Sequence, residues 1–384
     1  MQHSHGRWDI HHPNGLMFSK KNQGGIPHEE YAVLNLMQSV NSNGSSANYL
    51  YQPDQNGMNK SETASSRITV VIVNYNGGEM IIESLQALRR QTFRDFSIVV
   101  VDNHSGDGSS ERIAADFPEV VLFALKENIG FAAGNNFALQ HGPLAEWIVL
   151  LNPDAFPRSD WLACLLRTAE LNPDFDIFGS RLCSDSDGMV LDGIGDAYHV
   201  SGLVWREAHG CRTAARYLEK QEIFSPCAAA AMYRSRPLIE VGGFDDDLFC
   251  YVEDVDLGFR LRLAGYRSLY VPDAVVQHLG SGVVGIHSDF QIYHGHRNVV
   301  WVYVKDMPSV LFWALLPLHI AMNMAGIVWF TLRGQGRVIL RAKWDAIKGI
   351  PKFWRKRDAI QSARRISTWM ILRSLAWNPF KNNS

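Results

Sequence analysis

From Arg67 onward the chain alternates short β-branched runs with helix-spaced segments, and that alternation leaves few folds open to it. Ile68–Val73, Phe96–Val101, Val120–Ala124 and Trp147–Leu151 read as buried strands. Residues 79–91, 110–117 and 134–141 carry helical spacing between them. Strands alternating with helices predict an α/β domain around a mostly parallel, doubly wound sheet. Ligands bind such sheets at the carboxyl ends of the strands. Polar turns follow three of these runs, at residues 74–78, 102–106 and 152–154, so they are expected to converge on one rim.

The chemistry-bearing residues cluster at two places. Asp154 is a strand-end carboxylate beside the Pro153 turn, a hard-oxygen ligand position for Mg²⁺ or Mn²⁺. Asp102 has two readings, a helix cap or a ligand contact. The P-loop pattern GxxxxGK[ST] is absent, so phosphates bound at this rim would need a metal to neutralise them. The second place is residues 251–266, where Leu257, Leu261 and Ala264 form one apolar helix face. Glu253, Asp254 and Asp256 fall in the first turn and Arg260 and Arg262 follow, an order that suits the helix dipole. An Asp256–Arg260 pair at i, i+4 would be ordinary helix stabilisation. Asp245, Asp246 and Asp247 lie just ahead, and like charges held together raise the pKa of one member, as a general base near neutral pH requires.

The segments between are less informative. Residues 1–66 are polar and aperiodic and predict a disordered leader, with a short helix around 31–40 and no secretory signal; His3, His5, His11 and His12 belong to this polar tail. Trp161–Leu171 is an expected helix, and residues 177–182 and 189–191 expected strands. Phe224–Tyr233, FSPCAAAAMY, reads as a tightly packed strand. The five cysteines form no CxxC and read as buried thiols rather than a disulfide framework or zinc site. A net charge of −2 argues against a nucleic-acid surface over the whole protein.

Taken together, VVIVNYNGG (70–78), VVVDNHSGDGS (99–109), ENIGFAAGNN (127–136), LLNPDA (150–155), GGFDDDLFCYVEDVDLGFRLRLAGY (242–266) and VVQHLGSG (275–282) carry a resemblance. Residues 67–305 resemble a family 2 glycosyltransferase of the GT-A fold, an inverting enzyme that uses a nucleotide-diphosphate sugar. The resemblance implies a nucleotide-sugar half at 67–155 and an acceptor half at 156–305. By it Asn74 and Asn76 line the nucleotide pocket and Asp102 bonds the base, while Asn128, Gly130 and Asn136 belong to the loop beside the donor. It makes Asp154 a metal ligand, Asp254 the catalytic base, and Glu253 a support for acceptor or base. The stretch 224–233 becomes an acceptor-pocket wall, with Trp205 and His209 as acceptor contacts. The family's DxD reads Asn152-Pro153-Asp154 here, so one carboxylate is missing. His278 is then either a further metal ligand or a packed strand-end histidine.

The NPD form and YHGHRNVVWVYVKDMP (293–308) look like bacterial rhamnosyltransferase-like members. That resemblance implies dTDP-L-rhamnose as donor and a glycan or lipid-linked acceptor in surface polysaccharide assembly; a UDP-sugar donor would use the same Asp102 contact, and a non-catalytic glycan-binding scaffold would share the fold. A sugar-nucleotide-making enzyme would need a basic loop near the first strand, and residues 68–78 contain no Lys or Arg.

The tail adds a location. Between Asp306 and Arg333 no residue is charged, and residues 310–332 are long enough to span a bilayer. Residues 333–384 carry thirteen Lys and Arg against Asp345 and Asp358, interleaved with tryptophans, as membrane-surface helices do. Sugar nucleotides are cytosolic, and so is a basic flank by the positive-inside rule. Both ends on one side predict a helix that breaks at Pro317 and re-enters, or lies in the interface, at the cytoplasmic face of a bacterial inner membrane. Residues 306–384 are thus expected to form a membrane-associated helical tail.

Overall fold

The structure, a computed structural model, describes residues 66–280 and 288–378. The expected leader up to residue 65, its short helix and its histidines lie outside the described residues, as do Ser281 and Gly282 of the last motif.

In chain order the first half runs β1 (Ile68–Asn74), α1 (Gly78–Arg89), β2 (Phe96–Asp102), α2 (Ser109–Asp116), β3 (Val120–Ala124), α3 (Gly130–His141), β4 (Trp147–Leu151), β5 (Ala155–Pro157) and α4 (Trp161–Leu171). The second half begins with β6 (Ile177–Cys183), β7 (Leu191–Gly193), β8 (Asp196–Tyr198), β9 (Val204–Arg206), β10 (Gln221–Ile223) and β11 (Ala230–Arg234). It continues with α5 (Ser235–Glu240), α6 (Glu253–Leu263) and β12 (Ser268–His278), then the helices α7 (Asp289–Asp306), α8 (Ser309–Leu332), α9 (Gly336–Ser362) and α10 (Thr368–Ser374). The main sheet has the order β10-β12-β6-β11-β4-β1-β2-β3. Its strands β3, β2, β1 and β4 are parallel, as the alternation predicts, whereas β11 is antiparallel to both β4 and β6. The sheet is therefore mixed and mostly parallel.

Alternation along β1 builds both faces. Val70 and Ile72 meet Ile81, Leu85, Leu88, Trp161 and Leu165 in one core, while Val71 joins Val99, Val101, Phe137, Leu257 and Leu261 in the other. Burial of these aliphatic side chains contributes roughly 1.5–3 kcal/mol each. Register does the rest: Asn74 pairs with Asp102, and Asp102 with Ala124, so the strand ends and their turns align along one rim. In β12 the register slips between Val271 and Val275, around Pro272, and its far end pairs antiparallel with β5, bringing His278 opposite Ala155. β8 and β9 form a separate hairpin.

The tail helices are packed into the body rather than appended to it. Trp301, Val302 and Tyr303 of α7, Phe312 of α8, Phe353 of α9 and Ile371 of α10 share a core with Val255, Phe259 and Leu263 of α6. The break expected at Pro317 does not occur, and α8 runs through it as one helix of 24 residues. A proline removes one ladder hydrogen bond and crowds the preceding turn. Here the chain beyond it is tethered in line, because His319 stacks on Tyr303 at 3.9 Å and its Nδ1 lies 2.8 Å from the Ser201 carbonyl.

Candidate active site

The first two turns of the rim interlock. Asn74, fully buried at the end of β1, donates from Nδ2 to Asp102 Oδ1 at 2.7 Å and to Ser109 Oγ at 2.9 Å. Asp102 Oδ2 accepts the Ser105 N–H at 3.0 Å. Asn76 adopts a left-handed φ of 51° and accepts the Gly106 N–H at 2.8 Å. Among the described residues Asn74 Oδ1 is a buried acceptor with no hydrogen-bond partner, packed against Gly77.

The loop before α3 closes over the same edge. Asn128 Oδ1 caps that helix by accepting the Gly130 N–H, and it also accepts Asn103 Nδ2, both at 2.9 Å. Gly130 has φ +88°, and a Cβ there would strike the ring and carbonyl of Phe249, so only glycine fits. Asn136 is placed differently from the other two. Its amide grips Phe244 through N–H and carbonyl at 2.9 Å each and reaches Asp246 at 2.5 Å, which ties α3 to the turn ahead of α6. Asn103, unnoticed in the sequence, is the hinge pin of this loop through Asn128, Ile129 and Gly130.

At the third turn Asp154 is mostly buried and its Oδ1 lies 3.4 Å from His278 Nε2. His278 Nδ1 is 2.7 Å from Asp192 Oδ2. Burial disfavours a charged His278 ring, but Asp154 and Asp192 outweigh it and raise its pKa above 6.5. Burial likewise opposes ionisation of Asp192, yet His278 and Arg206 hold its carboxyl well below the usual range.

The other side of the site is built by α6. Asp254 accepts the Ala228 N–H at 3.2 Å and the Val255 N–H at 2.8 Å, and Ser225 Oγ donates to its carbonyl at 2.9 Å. A Cβ at Gly258 would collide with Ser225, so glycine lets α6 come this close. Before α6 the backbone is left-handed at Phe249, Tyr251 and Val252, with φ of 66°, 67° and 71°. Such strain persists where the surroundings over-determine it. Asn298 does so, donating to the carbonyls of Leu248, Cys250 and Tyr251 at 2.8, 3.1 and 2.8 Å. Glu253 is buried with Oε2 unpartnered among the described residues, and burial followed by the Asp254 charge pushes its pKa well above the ordinary value.

Asp246 behaves as the crowding suggested, since burial and then the charges of Asp245 and Asp247 raise its pKa, but the other acids act otherwise. Asp245 pairs with Lys305 at 2.5 Å and with Lys356, and Asp247 with Lys352 at 2.6 Å and Lys356 at 2.7 Å. Asp256 pairs with Arg260 at 2.8 Å and Lys305 at 2.5 Å. Despite burial, these cations hold Asp245 and Asp256 below the ordinary carboxylate range, so neither is a proton acceptor near neutral pH. They dock the tail. Of the acceptor candidates, His209 Nδ1 sits 2.9 Å from the Asp192 carbonyl, and Trp205 lies beside His199 at 5.9 Å.

Besides Asn103, four residues of the site escaped sequence reading: Asp192, Asp196, Arg206 and Cys227. Ligand atoms of Asp196, Cys227 and Asp254 all lie within 4.8 Å of one another. That group suits a hard cation poorly. Burial keeps the Cys227 thiol protonated, and burial plus the Asp254 charge raises Asp196 well above the usual range. Asp154 with His278 fits better. Their 3.4 Å separation is close to that of neighbouring ligands on one ion with bonds of about 2.1 Å, and Asp192 on the far ring nitrogen orients the histidine as carboxylates do behind metal-bound imidazoles.

A mixed sheet of this order, with polar turns at its strand ends and carboxylates on two sides of the rim, is the frame of a GT-A glycosyltransferase. Comparison with known proteins agrees. The profile of Glycosyl transferase family 2 matches residues 69–242. The chain is 31% identical over 264 residues to an N-acetylglucosaminyl-diphospho-decaprenol L-rhamnosyltransferase of Mycobacterium tuberculosis, covering 63% of this chain and 85% of that one. It is 24% identical over 218 residues to an O-antigen chain rhamnosyltransferase of Salmonella typhimurium, covering 55% and 66%. Among solved structures, GalNAc-T7 with UDP, GalNAc and Mn²⁺ superposes with a TM-score of 0.50 at 16% identity over 65% of this chain and 49% of that one, a likeness of fold. The chain belongs to the family 2 glycosyltransferases and is an enzyme of that class.

Proposed function

We propose that the enzyme transfers L-rhamnose from dTDP-L-rhamnose to a lipid-linked glycan acceptor, with inversion, at the cytoplasmic face of a bacterial inner membrane. The observation that carries this reading is the two-sided site, with Asp154, His278 and Asp192 on one side and Asp254 at the head of α6 on the other. The rhamnosyl donor and lipid-linked acceptor rest on the relatives' activities.

Asp154 and His278 would hold Mg²⁺ or Mn²⁺, which when bound neutralises charge on the departing diphosphate. Asn74, Asn76 and Asp102 line the nucleotide end, with Asn128 and Gly130 in the loop above it. Asp254 takes the proton from the acceptor hydroxyl as that oxygen bonds the anomeric carbon. The carbon–phosphate oxygen bond breaks in the same step, and the nucleoside diphosphate leaves with the electron pair. Attack from the face opposite the leaving group inverts the centre. Neutral, buried Glu253 supports the base without adding charge.

The membrane reading is supported by α8, which is long and apolar enough to cross a bilayer and whose Val310, Trp313, Ile320, Met324, Val328, Trp329 and Leu332 are exposed. On α9, Trp344 and Ile347 are exposed beside Arg341 and Lys348. We assign α8 and α9 to the membrane interface, with a peripheral attachment.

The test is nucleoside diphosphate release from a donor panel including dTDP-L-rhamnose and UDP-sugars, with Mg²⁺, Mn²⁺ or chelator and a polyprenyl-diphosphate-sugar acceptor. Metal-dependent release from dTDP-L-rhamnose that is lost in Asp154→Ala supports the assignment. Release from a UDP-sugar alone would overturn the donor, and chelator-insensitive release would overturn the metal role.

A further inference from the structure

Arg206 lies between the two halves of the site and no role in the transfer accounts for it. It ends β9, and Asp196 is its cross-strand partner on β8. Its stem crosses Gly193, where a Cβ would collide with Cγ and Cδ of the arginine. All three guanidinium nitrogens face groups of the active site. One Nη lies 2.6 Å from Asp192 Oδ2, the oxygen that also meets His278 Nδ1 at 2.7 Å. The other Nη lies 2.8 Å from Cys227 Sγ, and Nε faces Asp196 Oδ1 at 3.7 Å. From Cys227 the chain passes directly to Ala228, whose N–H donates to Asp254. The guanidinium therefore touches, on one side, the carboxylate that orients His278 toward Asp154 and, on the other, the neighbours of Asp254.

We propose that Arg206 is a positioning residue that fixes the donor-holding pair Asp154–His278 and the proton acceptor Asp254 in one geometry. The inference rests on the functional reading above. Its physical basis is the rigid planar fork. A guanidinium can bond three acceptors in fixed directions, and an ammonium cannot. In-line displacement needs base and leaving-group site aligned across the sugar carbon, and small misplacements at such sites cost large factors in rate. With one carboxylate of the family's DxD replaced by Asn152, the orientation of His278 carries more of the metal site, and the brace behind it matters correspondingly.

The experiment compares the wild-type full-length protein with Arg206→Lys, Gly193→Ala, Asp192→Asn and the Arg206→Lys/Asp192→Asn pair. Gly193→Ala keeps the arginine and displaces its stem, so it remains informative if Arg206→Lys folds poorly. Readouts are Mn²⁺ affinity by paramagnetic resonance in the presence of dTDP, thermal midpoint, and separate kcat and KM for the donor. The expected result is a 10–100-fold loss of Mn²⁺ affinity. A fall in kcat of at least tenfold accompanies it in variants that the thermal midpoint shows to be folded at the assay temperature, and the double variant is little worse than either single one. Mn²⁺ affinity and kcat within twofold of wild type in folded Arg206→Lys and Gly193→Ala would overturn the proposal. Asp254→Asn, run in parallel, separates the two ideas: its retention of activity sinks the functional reading, whereas its loss beside unaffected Arg206 variants sinks this inference alone.

Discussion

Glu253 and Asp254 are neighbours in sequence held in opposite environments. Asp254 receives two backbone N–H groups, whereas Glu253 is buried with an oxygen unpartnered. We expect Asp254→Asn to lower kcat by about 10²–10⁴, the usual worth of a general base. Glu253→Gln should retain activity within about tenfold, because an amide replaces a neutral carboxyl of the same shape. Stability gives the second check. A carboxyl whose folded pKa is raised contributes stability below its unfolded value of about 4.3, and that contribution is lost as pH rises toward the folded value. Glu253→Gln should therefore melt above wild type at pH 8 and level with it near pH 4, in thermal scans. A lower midpoint at pH 8 would contradict the neutral assignment. Asp254 and Asp154 were legible because a strand end and a helix start carry sequence signals. Asp192, Asp196 and Arg206 were not, because β7, β8 and β9 have three residues each and too little length for a period to show.

Among the elements, α6 is held from behind by the tail. Lys305 reaches Asp245 and Asp256, and Lys356 reaches Asp245 and Asp247. Breaking a buried pair by removing one partner typically costs about 3–5 kcal/mol. Asp245→Asn should destabilise by that order, read from denaturant unfolding, and an effect below about 1 kcal/mol would deny the network its role. The sign with pH is opposite to that of Glu253. Asp245 is depressed, so its contribution is present above the unfolded value of about 3.9 and is lost as pH falls below it. The sequence displayed the acids and the lysines but not their pairing, since Asp245 and Lys305 are 60 residues apart and Asp245 and Lys356 are 111 apart. Local crowding then suggested mutual repulsion. The strands were easier: β1, β2 and β4 end within one residue of where their β-branched runs stop, because burial on both faces writes itself as an unbroken apolar run.

For the whole molecule, the exposed apolar face of α8 and the basic, tryptophan-bearing α9 argue for attachment to an anionic bilayer. The protein should sediment with phosphatidylglycerol vesicles and much less with phosphatidylcholine, and added salt should weaken but not abolish the association. Trp313→Asp with Trp329→Asp should release it, and indifference to both changes would assign the face elsewhere. Because the tail shares a core with α6, attachment would hold the α6 side of the rim near the bilayer, as the proposed lipid-linked acceptor requires.

The most direct test of the account is the anomeric configuration of the product, followed by proton NMR during transfer from dTDP-L-rhamnose, with Asp254→Asn alongside. The account predicts a single product of configuration opposite to the donor's, absent in the variant. A product that keeps the donor's configuration would contradict a one-step displacement, and undiminished inversion by Asp254→Asn would remove Asp254 from the role of base.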